Sequence, residues 1–281
     1  MGLIKVVTDS GVDLPAEIIR EKDIHVVPLS VNFGSQRYVD GVDLTLEEFY
    51  AKLESEKEAA STTQPNPGNF AQVYQELVAA GHEIISIHIS GSVSGTYQSA
   101  TIAASMVPEG KIKVIDSRLA SMGSGLLVLY AQALIEAGED LDTIAQKVSD
   151  FREHVSTYFV VDTLEYLERN GRIGKAQALV GSLLRLKPVL TLTDGVVGPY
   201  EKVRGKGKAL RRVVDIVAEQ AGGPIWVAVV HGNSLAEAEK VAEEIESRCR
   251  CEKLVIAPIG GTIGVHAGPG TIGVMFCPVP Q

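Results

Sequence analysis

The chain has 281 residues, of which 45% are hydrophobic and 22% charged, a composition typical of an ordered globular protein. Its formal net charge of −9 argues against general nucleic-acid binding, which needs a broad basic surface. Three cysteines, Cys249, Cys251 and Cys277, are too few for a disulfide framework or a structural zinc site. The length suits two domains, and without a leader sequence or a long apolar span we expect a cytoplasmic protein with no integral membrane association.

Short apolar strands alternate with helices through the first half of the chain. The predicted strands span 3–7, 25–31, 84–89 and 113–118. Helices are predicted at 15–21, 97–104, 119–137 and 141–155. Two further helices are predicted, one that begins at a capping box at 45–48 and one that ends at Ala80. This alternation predicts an α/β domain with a mainly parallel sheet over residues 1–157.

The second half of the chain, residues 158–281, has a different pattern. Two apolar segments, 189–193 and 196–203, are predicted to form a hairpin around the Asp194-Gly195 turn. Helices near 207–221 and 235–249 alternate with strands at 225–230 and 253–259, and a strand at 271–276 follows a glycine-rich loop that contains His266. We therefore expect a second α/β domain with a mixed sheet.

The turn at 90–96, Ser-Gly-Ser-Val-Ser-Gly-Thr, joins a buried strand to a helix and carries many hydroxyl and N–H donors. Helix N-termini favour anionic groups through free N–H donors and the helix dipole. Strands that end in Asp9-Ser10 and Asp116-Ser117 reach the same edge of a parallel sheet, where ligands bind. The pattern predicts a site for the anionic head of a small ligand, but serines that only cap helices would give the same pattern.

Motifs for nucleotide binding and hydrolysis are absent or out of context. Residues 268–273 match Gly-x-Gly-x-x-Gly, but they precede a strand near the end of the chain. Ser94 lacks the flanking glycines of a hydrolase elbow, and the basic turn after Gly171 lacks the spacing of a phosphate-binding loop. Neither a dinucleotide cofactor nor a metal site is therefore predicted.

Residues 202–212 hold a cluster of cations with no acid among them, in contrast to the negative charge of the whole chain. The cluster consists of Lys202, Arg204, Lys206, Lys208, Arg211 and Arg212. Such a cluster is either a solvated helix face or a docking patch for a phosphorylated or acidic partner.

Five segments, taken in order, resemble the bacterial DegV family, which includes the fatty-acid-binding subunits of fatty acid kinase. They are Val-Val-Thr-Asp-Ser at 6–10, Thr-Thr-Gln-Pro at 62–65, the turn at 90–96, Asn-Gly-Arg-Ile at 170–173 and Gly-Val-His-Ala-Gly-Pro-Gly at 264–270. The family usually has serine where this chain has Thr63 and glycine where it has Asn170. Neither difference removes the threonine or the arginine of these motifs. The resemblance covers essentially the whole chain and implies two α/β domains with a ligand between them.

By this resemblance, Thr62 and Ser94 hydrogen-bond the carboxylate of a long-chain fatty acid such as palmitate, with His266 nearby. The acyl chain lies in an apolar tunnel. A separate ATP-dependent fatty acid kinase phosphorylates the presented carboxylate to an acyl-phosphate, and Arg172 and Arg204 face that kinase or its nucleotide. The resemblance implies no catalytic residue, metal or cofactor in this chain itself.

Two other functions stay open from the residues alone. Asp9, Asp116 and His266 would make the chain an enzyme for a small carboxylated or phosphorylated metabolite, if they formed an acid–base group. No paired carboxylates and no nucleophile–base motif support that function. The chain would instead be a non-catalytic regulatory module if residues 202–212 docked a partner.

Overall fold

The computed structural model describes residues 3–55, 59–180 and 187–280. The strands in these ranges are β1 (Ile4–Asp9), β2 (His25–Val27), β3 (Ser30–Phe33), β4 (Gln36–Val39), β5 (Ser61–Thr63), β6 (Glu83–His88), β7 (Ile112–Asp116), β8 (Ser156–Val160), β9 (Lys187–Thr193), β10 (Val196–Val203), β11 (Ile225–His231), β12 (Cys251–Pro258) and β13 (Ile272–Pro278). The helices are α1 (Ala16–Glu21), α2 (Leu46–Ser55), α3 (Pro67–Ala79), α4 (Thr96–Ser105), α5 (Met122–Glu136), α6 (Leu141–Phe151), α7 (Glu165–Arg169), α8 (Lys206–Gln220), α9 (Leu235–Arg248) and α10 (Gly261–Ala267). Within the described ranges, none of these helices is both long and apolar enough to cross a membrane.

The first sheet has the strand order β2-β1-β6-β7, and all of its neighbouring strands are parallel. Its strands are rich in valine and isoleucine, and Val6, Ile84 and Ile85 are fully buried. Strands of this kind form sheets that are covered by helices on both faces. Here α3 and α4 pack on one face, and α5 and α6 pack on the other. The predicted parallel sheet is confirmed.

The second sheet has six strands in the order β10-β9-β8-β13-β11-β12. Only β11 and β12 are parallel neighbours in it, and the other described pairs are antiparallel, so the predicted mixed sheet is also confirmed. One face packs against α8 and α9, while Val230 and Met275 on the other face join the core around α5. The chain enters this sheet at Ser156, and the division into domains of 1–157 and 158–281 stays a prediction.

A small antiparallel sheet, β4-β3-β5, is missing from the sequence-based prediction. The pattern predicts one strand over 25–31, whereas Pro28 lies between β2 and β3 because proline cannot donate to a strand ladder. The segment that contains β5 is predicted to be a polar loop, since three residues are too few for an alternating pattern to show. This sheet carries Thr62, one of the predicted site residues.

Candidate functional site

A cavity lies between the six-stranded sheet, α10 and the loops that follow β5 and β6. The space between its walls, open mouth included, is about 950 Å³. Five neighbouring strands, β8, β9, β10, β11 and β13, each contribute one apolar side chain to its wall: Phe159, Leu192, Val197, Val230 and Met275. A mostly apolar cavity with a few polar groups is the usual form of a small-molecule site.

Thr62 and His266 both line this cavity and contact each other. The Oγ1 atom of Thr62 lies 3.0 Å from Nε2 of His266. Among the described residues, no partner lies within hydrogen-bond distance of the buried Nδ1 atom of His266. Burial, and secondarily the charge of Arg172, lower the pKa of His266 to about 4. The imidazole is therefore neutral at pH 7, and one donor of the pair is not used between the two side chains.

Ser94 lines the same cavity from the turn that precedes α4. Its Oγ atom lies 2.8 Å from Oγ1 of Thr96. The loop after β5 packs directly on this turn, because the Gln64 side-chain amide occupies the space that a Cβ on Gly95 would need. The Gln64 amide also donates to Ser99 in α4. Packing of Gln64 on the turn therefore brings Thr62 and Ser94 to one cavity.

Arg172 is the cation of the cavity wall among the described residues. Its Nε and Nη1 atoms donate to the carbonyls of Val93 and Asn170, at 3.2 and 2.6 Å, which holds the guanidinium beside the Ser94 turn. Arg204 is exposed between β10 and α8, and it does not line the cavity. The structure therefore places Thr62, Ser94, His266 and Arg172 together and leaves Arg204 outside.

The basic cluster at 202–212 is partly neutralised by acids from other segments. Lys206 pairs with Asp162 and Glu237, and Arg212 pairs with Glu201 and Glu219. Lys202, Arg204, Lys208 and Arg211 are exposed. These four cations are the part of the cluster that is open to solvent.

The prediction that His266 lies in a glycine-rich loop is wrong, because His266 lies in the last turn of α10. The local sequence disfavours a helix there because glycine has a low helix propensity. The tertiary structure supplies what the sequence lacks: the Asp40 carboxylate accepts from the N–H groups of Gly261 and Thr262 at 2.9 and 3.0 Å. A carboxylate at a helix N-terminus satisfies free donors and complements the dipole. Asp40 thus positions His266 indirectly.

A buried carboxyl lies behind the cavity wall. Ser121 lines the cavity, and its hydroxyl donates to Oδ2 of Asp13 at 2.5 Å, while the Gly260 N–H donates to Oδ1 at 2.9 Å. Burial raises the pKa of Asp13 to about 8, although both hydrogen bonds favour the ionised form. Asp13 therefore connects the start of the chain to the segment before α10 and is mostly protonated at neutral pH.

The acid–base group of the alternative enzyme hypothesis is not assembled around this cavity. Neither Asp9 nor Asp116 lines it. Asp9 instead accepts from His88, whose Nε2 lies 2.7 Å from Oγ of Ser86, so the connectivity resembles that of a hydrolytic triad. All three side chains are fully buried. The described residues include no cluster of His, Cys, Asp or Glu that would hold a metal ion.

Asp40 and Gln64 are the contributors to the site whose roles the sequence did not reveal. Asp40 precedes Gly41 in an ordinary turn signal, and nothing local links it to a helix 221 residues away. Gln64 stands in the Thr-Thr-Gln-Pro motif, but the tertiary structure is needed to show that its side chain packs on Gly95 and donates to Ser99.

Comparison with known proteins identifies the family that the sequence motifs resemble, over nearly the whole chain. The family model described as an uncharacterised protein of the DegV family matches residues 3–279. Protein DegV of Bacillus subtilis is 35% identical over 277 residues, which cover 98% of this chain and 99% of that protein.

Two solved structures share the fold. A fatty-acid-binding DegV family protein from Thermus thermophilus is 36% identical, with a TM-score of 0.93 over 98% of this chain and 99% of that one. A stearic-acid-binding protein from Eubacterium ventriosum is 29% identical, with a TM-score of 0.91 over 98% of both chains. With a family match over nearly every residue and a relative of this identity, the chain belongs to the DegV family.

Proposed function

We propose that this chain is a cytoplasmic protein that binds a long-chain fatty acid such as palmitate. Thr62, Ser94 and His266 hold the carboxylate, and the acyl chain lies along the apolar wall formed by the six-stranded sheet. The observation that carries the proposal is the joining of one polar cluster to one apolar cavity. The fatty-acid-binding relatives from Thermus thermophilus and Eubacterium ventriosum support the same class of ligand.

The two parts of the cavity contribute differently to binding. A buried methylene contributes roughly 0.8 kcal/mol, so an acyl chain of about fourteen methylenes gives on the order of 10 kcal/mol before losses. A hydrogen bond to a charged group contributes about 1.5–3 kcal/mol. The acyl chain therefore supplies most of the affinity, and the polar cluster fixes the position of the carboxylate.

We further infer that the bound carboxylate is presented to a separate ATP-dependent fatty acid kinase, which converts it to an acyl-phosphate. In this role the chain is not itself the enzyme and needs no cofactor. Arg172 sits beside the polar cluster and Arg204 is exposed, so both are open to a partner that carries an anionic nucleotide. Fixing the carboxyl oxygen at the mouth of the cavity prepares it for attack on a phosphoryl group.

The first experiment tests the ligand. Native mass spectrometry of the purified chain is expected to show a bound acid of roughly 16–18 carbons, as fits the methylene estimate above, and the delipidated chain is expected to take up palmitate. A chain that carries no lipid and takes up no palmitate would contradict the fatty-acid function.

The second experiment tests the kinase partner. The chain loaded with palmitate is incubated with ATP, alone or with a bacterial fatty acid kinase, and acyl-phosphate is trapped with hydroxylamine. Product is expected only with the kinase, and Arg204→Glu is expected to lower its yield without changing the bound lipid. Turnover by the chain alone would favour the enzyme hypothesis instead.

A further inference from the structure

The side-chain amide of Asn170 joins two helices next to His266. Asn170 directly follows α7, and its Nδ2 atom lies 3.2 Å from the Tyr166 carbonyl of that helix and 3.0 Å from the Val265 carbonyl of α10. An amide NH2 group has two donors, so these two carbonyls use both of them. Val265 is fully buried and directly precedes His266. The Asn170 side chain therefore holds the backbone that carries the imidazole.

The backbone carbonyl of Asn170 has a partner of its own, the Arg172 guanidinium. Nη1 of Arg172 donates to this carbonyl at 2.6 Å, and Nε donates to the Val93 carbonyl at 3.2 Å. Val93 directly precedes Ser94. Because a guanidinium presents its donors in a rigid plane, the one Arg172 side chain fixes these two carbonyls relative to each other.

The segment between Asn170 and Arg172 is held by a helix cap. Gly171 has a positive φ of 68°, and its N–H donates to the Glu168 carbonyl at 3.0 Å. The N–H of Arg172 donates to the Leu167 carbonyl at 2.9 Å. A left-handed glycine with bonds of this kind is a common way to end a helix. None of these bonds uses the Asn170 side chain, so its removal breaks the tie to α10 and leaves the end of α7 intact.

We propose that Asn170 is a positioning residue for the carboxylate site. Together with Arg172 it forms a polar bridge that joins the backbone before Ser94 to the backbone before His266. The inference rests on the proposed fatty-acid function, and it adds a residue that does not itself line the cavity. The bridge sets the separation of two groups that bind one carboxylate. This separation matters because hydrogen bonds weaken when their distance and angle change.

The helix that carries His266 depends on such outside supports. α10 has only seven residues, and the first four N–H groups and last four carbonyls of a helix have no partner within it. Asp40 binds its first residues, and Asn170 binds its last turn. The support through Asn170 continues, by way of Arg172, to the turn that carries Ser94.

The test compares two ligands that differ only at one end. Dissociation constants of palmitate and of hexadecanol, which carries a hydroxyl in place of the carboxylate, are measured for the delipidated full-length chain and for Asn170→Ala. The constant for palmitate is expected to rise about three- to tenfold in the variant, as weakening of one hydrogen bond to a charged group predicts. The constant for hexadecanol is expected to change less than about twofold, because the apolar contacts that supply most of its affinity are kept.

Arg172→Lys breaks the same bridge at its other link. Lysine keeps the positive charge, but it lacks the planar fork that binds two carbonyls at once. Since either substitution interrupts one bridge, the double variant is expected to bind palmitate within about twofold of the weaker single variant. Two independent effects would instead multiply.

Gln132→Ala is the matched control. The Gln132 amide donates to the Lys22 carbonyl at 2.9 Å, so this substitution also removes an amide–carbonyl bond between distant segments, and Gln132 does not line the cavity. The control is expected to unfold at a lower urea concentration and to bind both ligands as the unaltered chain does.

Four results would overturn the inference while palmitate still binds the unaltered chain. They are an unchanged palmitate constant in Asn170→Ala, an equal change for hexadecanol, multiplied effects in the double variant, and the same loss of palmitate binding in Gln132→Ala. Failure of palmitate to bind the unaltered chain would overturn the fatty-acid function itself.

Discussion

Thr62 and His266 are 204 positions apart in the chain, yet Oγ1 of Thr62 lies 3.0 Å from Nε2 of His266. Whichever atom holds the proton between them, one donor is left over. If Thr62 donates to Nε2, the ring proton is on Nδ1, and if Nε2 donates, the Thr62 hydroxyl proton is free. The pair is therefore neutral and keeps one donor that the two side chains do not use on each other.

Removing a hydroxyl of the polar cluster should weaken fatty-acid binding. Ser94→Ala is expected to lower the affinity for palmitate by about 1–3 kcal/mol, since a hydrogen bond to a carboxylate is lost. Thr62→Val should have an effect of similar size, and titration calorimetry measures both. Ser92→Ala is the control, because Ser92 stands in the same turn but does not line the cavity. Unchanged affinity in Ser94→Ala would show that the carboxylate lies elsewhere.

Displacing α10 should disturb the site from a distance. A Cβ on Gly264 would lie 2.7 Å from Cε1 of Phe49, a ring that is only 3% exposed. Gly264→Ala should therefore destabilise the fold by about 1–3 kcal/mol in urea unfolding and also weaken palmitate binding, because the helix that carries His266 has to shift.

Gly207→Ala in α8 serves as the control for this substitution. Nothing lies within 4 Å of a Cβ at Gly207, so helix propensity should make this variant more stable by up to about 1 kcal/mol. If Gly264→Ala were as stable and bound palmitate as tightly as the unaltered chain, the packing of α10 on Phe49 would not position His266.

Arg172 should influence the titration of His266. Because the Arg172 charge is the second cause of the low pKa of His266, Arg172→Gln is expected to raise that pKa from about 4. Burial is the larger cause and is unchanged, so the pKa should stay below the ordinary histidine value of 6.5. A nuclear magnetic resonance titration of the imidazole Cε1 proton measures the shift. No shift, or a downward shift, would show that the guanidinium does not act on the ring.

Asp13 should make the fold less stable as the pH rises. An aspartate in the unfolded chain has a pKa near 3.8, whereas burial raises the pKa of Asp13 to about 8 in the folded chain. The folded state therefore binds more protons between these limits, and stability falls with increasing pH by on the order of 1 kcal/mol per unit from this group. Urea unfolding from pH 5 to pH 9 should show that Asp13→Asn removes this loss.

The control for this prediction is Asp140→Asn, which keeps an acceptor at the start of α6. The pKa of Asp140 is lowered by its hydrogen bonds to Thr143, so its contribution is already complete at pH 5 and the slope above that pH should not change. An identical slope in Asp13→Asn and the unaltered chain would mean that Asp13 is ionised when buried.

Features encoded by neighbouring residues could be predicted from the sequence. Thr45 and Glu48 form the predicted capping box, with both reciprocal bonds present. The Asp194-Gly195 turn joins β9 to β10 as predicted. Such signals act over a few residues, so the sequence alone is enough to find them.

Features that depend on distant residues could not be predicted in the same way. α10 forms in a glycine-rich segment because Asp40 satisfies its first N–H groups, and no local signal connects the two. β5 pairs with β3 through only three residues, too few for a periodic pattern. Nor does a threonine in a strand reveal, as Thr157 does here, that its hydroxyl lacks a protein partner among the described residues.

The small β4-β3-β5 sheet supports both Thr62 and His266. Thr62 lies in β5, and Asp40, which directly follows β4, accepts a hydrogen bond from the start of α10, the helix that carries His266. Ser94 lies in the turn after β6, and Arg172 is tied to that turn because it donates to the Val93 carbonyl. The Gln64 amide, in the loop after β5, donates to Ser99 in α4. The Thr62–His266 pair and the Ser94 turn therefore have separate supports, and the Gln64 side chain joins them.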